Sequence, residues 1–149
     1  MPILNYTTTI AASKTVMEIQ DTLAAHGAEE ISVSYDSVGQ ARVPVALVFS
    51  IQVGANLVAF RLPCKWQGVL VALRRDPKVQ PRYRTNEQAL KVAWRIIKDW
   101  VEAQLALIQA GQAELAEIFL PYAVGQDGST FYEQFKARQG LLPPPQEGR

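Results

Sequence analysis

The stretch Val43-Pro44-Val45-Ala46-Leu47-Val48-Phe49-Ser50-Ile51-Gln52-Val53-Gly54-Ala55-Asn56-Leu57-Val58-Ala59-Phe60-Arg61-Leu62-Pro63 decides the fold. Val45, Leu47, Phe49, Ile51 and Val53 share one face of an extended chain, and Ala46, Val48, Ser50 and Gln52 share the other. A strand this apolar on both faces is expected at the centre of a sheet, with Pro44 at its start, where a missing backbone donor costs least. Gly54 to Asn56 are turn residues, and Leu57 to Leu62 return as an antiparallel neighbour that Pro63 stops. Arg61 lies on the face opposite Phe60 and Leu62.

Upstream, Ile31, Val33 and Tyr35 alternate with Ser32 and Ser34 and predict a half-buried strand, turned back at Asp36 to Gln40, so three strands form a meander. Leu4 to Ile10, with Tyr6 and three threonines, reads as a further strand. Thr15 and Glu18 have capping-box spacing, and Val16, Ile19 and Leu23 predict a helix that Gly27 ends, with His26 in its last turn.

Downstream, Lys65 to Arg75 predicts a short helix with Val69, Leu70 and Leu73 turned inward, closed by Asp76 and Pro77. Gln80 to Arg84 is a polar, proline-containing connector. Thr85 and Gln88 repeat the capping-box spacing and open a long helix to about Ala110 before Gly111, with Leu90, Ala93, Ile97, Val101, Leu105 and Ile108 facing the core. Ala113 to Tyr122 and Phe131 to Arg138 predict two more helices. The expected fold is therefore α+β: a mostly antiparallel sheet of three to four strands in the order β-α-β-β-β, covered by C-terminal helices. A single globular domain is expected over residues 1–140, with a flexible Pro-rich tail over 141–149.

With 149 residues, 48% apolar and 19% charged, the composition is that of a globular chain able to bury a core unaided. The longest apolar runs are far shorter than the ~20 residues of a membrane span, so no membrane association is expected. Met1 to Ile10 lacks the features of a signal peptide, so the expected setting is the cytoplasm. Cys64 is the single cysteine and His26 the single histidine; they predict an inert strand-end thiol and a helix-terminus imidazole, and no zinc site or other cofactor is expected. Phosphate-loop and dinucleotide fingerprints are absent.

Charge carries the functional signal. Ten basic and two acidic residues lie between Arg61 and Lys98, against five and twelve in the remainder of a chain whose net charge is +1. Aromatic rings are interleaved with these cations, the combination that neutralises phosphates and stacks bases. Trp94 and Trp100 are assigned to the packed side of the long helix. The candidate nucleic-acid contacts are Arg61, Lys65, Arg74, Arg75, Lys78, Arg82, Arg84, Lys91, Arg95 and Lys98, with Trp66 and Tyr83 as stacking rings. Lys91, Arg95 and Lys98 form one stripe of the long helix, which Glu102 continues. The expected ligand is single-stranded DNA bound without sequence preference and without catalysis, because unpaired bases expose their faces. RNA and a homo-oligomer are left open. Two other readings stand beside it: a protein-interaction module docking an acidic partner through the basic face, and a metal-dependent nuclease assembled from scattered carboxylates such as Asp36, Asp76, Asp99, Glu114 and Glu117.

The run Tyr83-Arg84-Thr85 through Trp94-Arg95-Ile96-Ile97-Lys98-Asp99-Trp100-Val101-Glu102, with Phe119-Leu120-Pro121-Tyr122 after it, resembles a family of small, mostly uncharacterised proteins met in phage and environmental metagenome sequences. The resemblance covers most of the chain and carries no catalytic residue. It implies a phage-encoded protein in the host cytoplasm that handles replicating or recombining DNA, as similar ssDNA-binding and strand-annealing factors do, or one that serves phage assembly or host inhibition. A strand followed by a helix does not open an OB-fold barrel, so the activity would sit on another fold.

Overall fold

The computed structural model describes residues 1–138. Among them, helix α1 (Ala12–Ala25) leads into strands β1 (Ile31–Val38), β2 (Ala41–Val53) and β3 (Asn56–Pro63). Helix α2 (Trp66–Arg75), a 3-10 turn at Pro81–Tyr83, and the long helix α3 (Asn86–Gln109) follow. Helix α4 (Leu115–Phe119) continues into a 3-10 turn at Leu120–Tyr122, and α5 (Phe131–Ala137) comes last. The architecture is α+β, as the sequence predicts. The tail expected from Leu141 lies outside the described residues.

The three strands form an antiparallel sheet in the order β1-β2-β3. Val38 pairs with Ala41 and Val53 with Asn56, so both connections are two-residue hairpins. Gly39 and Gly54 take φ values of 63° and 59°, the left-handed backbone that such turns require at their first position. The pairing puts Phe49 between Ile31 and Phe60 and points Leu47, Phe49 and Ile51 into the core. There Phe49 stacks on Phe60 at 5.5 Å between centroids, and Phe119 meets Phe49 edge-on at 5.4 Å. Val16, Ile19 and Leu23 of α1 and Ala93, Trp94, Val101 and Leu105 of α3 close this core. A second, smaller cluster of Leu73, Val79 and Ala89, with Tyr6 and Tyr83 against it, joins α2 to the start of α3.

Four expectations are corrected. Leu4 to Ile10 is a turn segment and not a strand, so the order opens α-β-β-β and the sheet has three strands among the described residues. Asn5 takes a left-handed φ of 65°, which no strand tolerates, and its side chain bonds Asp99 at 2.8 Å. The segment's carbonyls at Tyr6 and Thr8 are taken instead by the Gln88 side-chain amide, each at 2.9 Å. The sheet is also covered from the N-terminal side, since α1 packs beside α3 over the same face.

The capping box at Thr15 and Glu18 does not form. Helix α1 starts at Ala12 with Ala11 as a cap that makes no side-chain hydrogen bond, while Thr15 is buried one turn inside and Glu18 reaches across to α3. Strand β2 also departs from the even alternation expected of it. Ser34 pairs with Ala46 but Tyr35 with Pro44, which leaves Val45 unpartnered on β1 as the extra residue of a bulge. Pro44 is thereby buried and Val45 only half-buried, and the Pro44 carbonyl accepts the Trp94 indole N–H at 3.0 Å. Thr85 caps α3 as expected, accepting from the Gln88 backbone N–H at 3.1 Å.

Candidate nucleic-acid interface

The ten candidate cations divide by what the fold does with them. Arg95 of α3 meets Glu18 of α1 at 3.0 Å, and Lys98 lies 3.7 Å from the same carboxylate while also pairing with Glu102 one turn on. Lys91 pairs with Glu87 at 3.4 Å. The stripe on α3 is thus neutralised along its length, and two of its members are anchored where α1 and α3 meet. Arg61 spans from β3 to α5, meeting Glu133 at 3.0 Å and the Gly128 carbonyl at 2.9 Å. The Thr130 backbone N–H, which Glu133 accepts at 2.9 Å, is the main cause of a carboxyl held below its ordinary range, with Arg61 adding to it.

Arg84 is half-buried and donates to the Asp76 carbonyl at 3.0 Å, while its Nε is buried without a partner. It braces the turn after α2 from a partly buried position.

Lys65, Arg74, Arg75, Lys78 and Arg82 remain. All five are exposed, and none has a carboxylate within ion-pair distance among the described residues. Arg74 and Arg75 occupy the last turn of α2, where the helix dipole favours cations. Asp76, the acid nearest them in sequence, turns its carboxylate to the Lys78 backbone N–H at 2.9 Å. The positive surface therefore runs along α2 and onto the following connector.

The two candidate rings are used differently from the expectation. Trp66 is half-buried and packs against both core clusters. Tyr83 is half-buried in the smaller cluster, edge-on to Tyr6 at 5.7 Å, and the Arg82 guanidinium sits 4.8 Å from its centroid. Its face is thus occupied by a cation–π contact. Trp94 is fully buried, and Trp100 packs edge-on against Phe119 and Tyr122, as assigned from the sequence.

An exposed ring near basic residues occurs where the local sequence carries no such signal. Tyr132 of α5 is 51% exposed and lines a cleft with Arg61, Lys65 and Lys136. Lys65 and Tyr132 are far apart in the chain, so only the fold brings them together. No three His, Cys, Asp or Glu side chains converge among the described residues, and no helix among them is long and apolar enough to cross a membrane.

No protein-family model, curated protein or solved structure matches the chain.

Proposed function

We propose that the protein is a non-enzymatic, sequence-nonspecific nucleic-acid-binding protein, with single-stranded DNA as its ligand. The observation that carries this reading is the set of five exposed, carboxylate-free cations from Lys65 to Arg82 in a molecule whose acids neutralise Arg61, Lys91, Arg95 and Lys98. Clustered cations repel one another in the free protein and release counterions when phosphates replace them. Contacts of this kind fix position on a backbone without reading sequence. The proposed setting, the handling of replicating or recombining DNA in a phage-infected host, rests on the sequence resemblance alone.

The test is fluorescence anisotropy with a labelled oligonucleotide across a salt series. Each phosphate contact on a single strand contributes a slope of ~0.7 in log affinity against log salt, so Arg74→Ala with Arg82→Ala lowers the slope by ~1.4. An affinity indifferent to salt, or no binding at low salt, overturns the reading.

A second reading has its own observation. Val71 is 47% exposed on the α2 face that carries Arg74 and Arg75, an apolar centre with a cationic rim that suits an acidic protein partner. A stable partner purified with the protein and free of nucleic acid favours that alternative, a phage assembly or host-inhibiting module.

A further inference from the structure

The end of β3 and helix α5 flank a cleft of about 670 Å³, lined on one side by Arg61, Pro63 and Lys65 and on the other by Tyr132, Lys136 and Glu133, the carboxylate that Arg61 neutralises. Two smaller hollows of about 260 Å³ each share Pro63 and Tyr122 with it and are walled by Ile96 and Ile97 of α3. The cleft therefore continues as an apolar trough.

Its walls are held firmly. Thr130 accepts from the Glu133 backbone N–H at 3.2 Å while Glu133 accepts from the Thr130 N–H, which fixes the start of α5. The Arg61–Glu133 pair then ties α5 to β3. Tyr132 and Lys136 are four residues apart on α5 and so share one face of that helix. Arg61 is already neutralised, whereas Lys65 and Lys136 have no carboxylate partner among the described residues.

A ligand matching this surface carries negative charge for two ammonium groups and a flat, largely apolar body for an exposed phenol ring beside a proline. A simple oxyanion would leave the ring and the trough unused. A nucleotide unit uses all of them. We infer that the cleft seats one nucleotide of a bound single strand, its base against Tyr132 and its phosphate within reach of Lys65 and Lys136. This rests on the nucleic-acid reading and adds the base contact that Trp66 and Tyr83, both packed, do not supply. Lys65 belongs both to the cleft and to the exposed cations of the α2 surface, so the strand passes from one to the other.

The experiment compares oligothymidylate with a phosphodiester chain of equal length that lacks bases, at low salt. Wild-type protein is expected to prefer the thymidylate about tenfold, the scale of one base on one ring. Tyr132→Ala removes that preference and leaves the affinity for the baseless chain unchanged, while Tyr132→Phe keeps it. Lys136→Gln weakens both ligands equally. Equal wild-type affinity for the two chains overturns the inference and leaves the nucleic-acid reading standing, as does a Tyr132→Ala variant that retains the preference. Wild-type protein that binds neither chain overturns both.

Discussion

Glu18 of α1 accepts a hydrogen bond from Arg95 of α3 at 3.0 Å and holds Lys98 within 3.7 Å, so one carboxylate answers two cations 77 and 80 positions away. The three groups are only partly exposed, and the pair joins two helices that cover the same core face. Removing the carboxylate leaves two like charges close together with reduced access to water. Glu18→Ala is expected to destabilise the protein by about 1 kcal/mol, at the upper end for ion pairs that water still reaches. Arg95→Ala is expected to cost a similar amount and to leave oligonucleotide affinity unchanged. A clear loss of affinity in folded Arg95→Ala would return the α3 stripe to the binding surface.

The pairing also shows where sequence reading stops. Lys91, Arg95 and Lys98 were legible as one stripe because helical spacing fixes their common face, and Glu102 was legible as its continuation. Glu18 was not, since its spacing from Thr15 suggested a local capping role and nothing local points to Arg95. The β2–β3 hairpin was legible because its period-two pattern and its turn residues lie within one short stretch. The N-terminal segment has the local pattern of a strand but is not one, because the partner of its carbonyls, Gln88, lies 80 or more positions away and Asn5 leaves the extended region. Tyr132 carried no signal for the same reason: its basic neighbour Lys65 is supplied by the fold.

The bulge at Val45 makes Trp94 more than a filler of space. With Pro44 turned inward, its carbonyl faces the core and has the Trp94 indole as donor at 3.0 Å. Trp94→Phe removes the indole donor from that buried carbonyl and opens a small cavity. The expected loss is about 2–4 kcal/mol, read as a lower denaturant midpoint with an unchanged slope. A loss under about 0.5 kcal/mol would mean that water or a backbone shift replaces the indole.

Gln88 ties the first residues to the body of the molecule. It is 9% exposed, and its amide donates to both Tyr6 and Thr8 carbonyls. Gln88→Leu keeps the size of the side chain and removes both donors, while Thr85 still caps the helix through the backbone. The expected outcome is a loss of about 1–3 kcal/mol, with faster amide exchange concentrated in residues 1–10. Uniform acceleration across the sheet would instead assign Gln88 to global stability.

Cys64 supplies a test of the core that is independent of binding. The thiol is 5% exposed, and burial pushes its pKa up from an ordinary value of 9.0 to about 12, against a smaller lowering by the Trp66 backbone N–H. The folded protein therefore retains a proton that the unfolded chain gives up above pH 9. This site's contribution to stability is whole below pH 9 and declines as pH rises toward 12. Because the thiolate is the reactive form, native protein at mildly alkaline pH is expected to react with a thiol reagent far more slowly than the denatured chain. Denaturant below the unfolding transition should accelerate labelling only as far as it opens the β3–α2 junction. Native labelling as fast as that of an unstructured peptide would show that Cys64 is open to water, and the core next to Lys65 and the cleft would have to be redrawn.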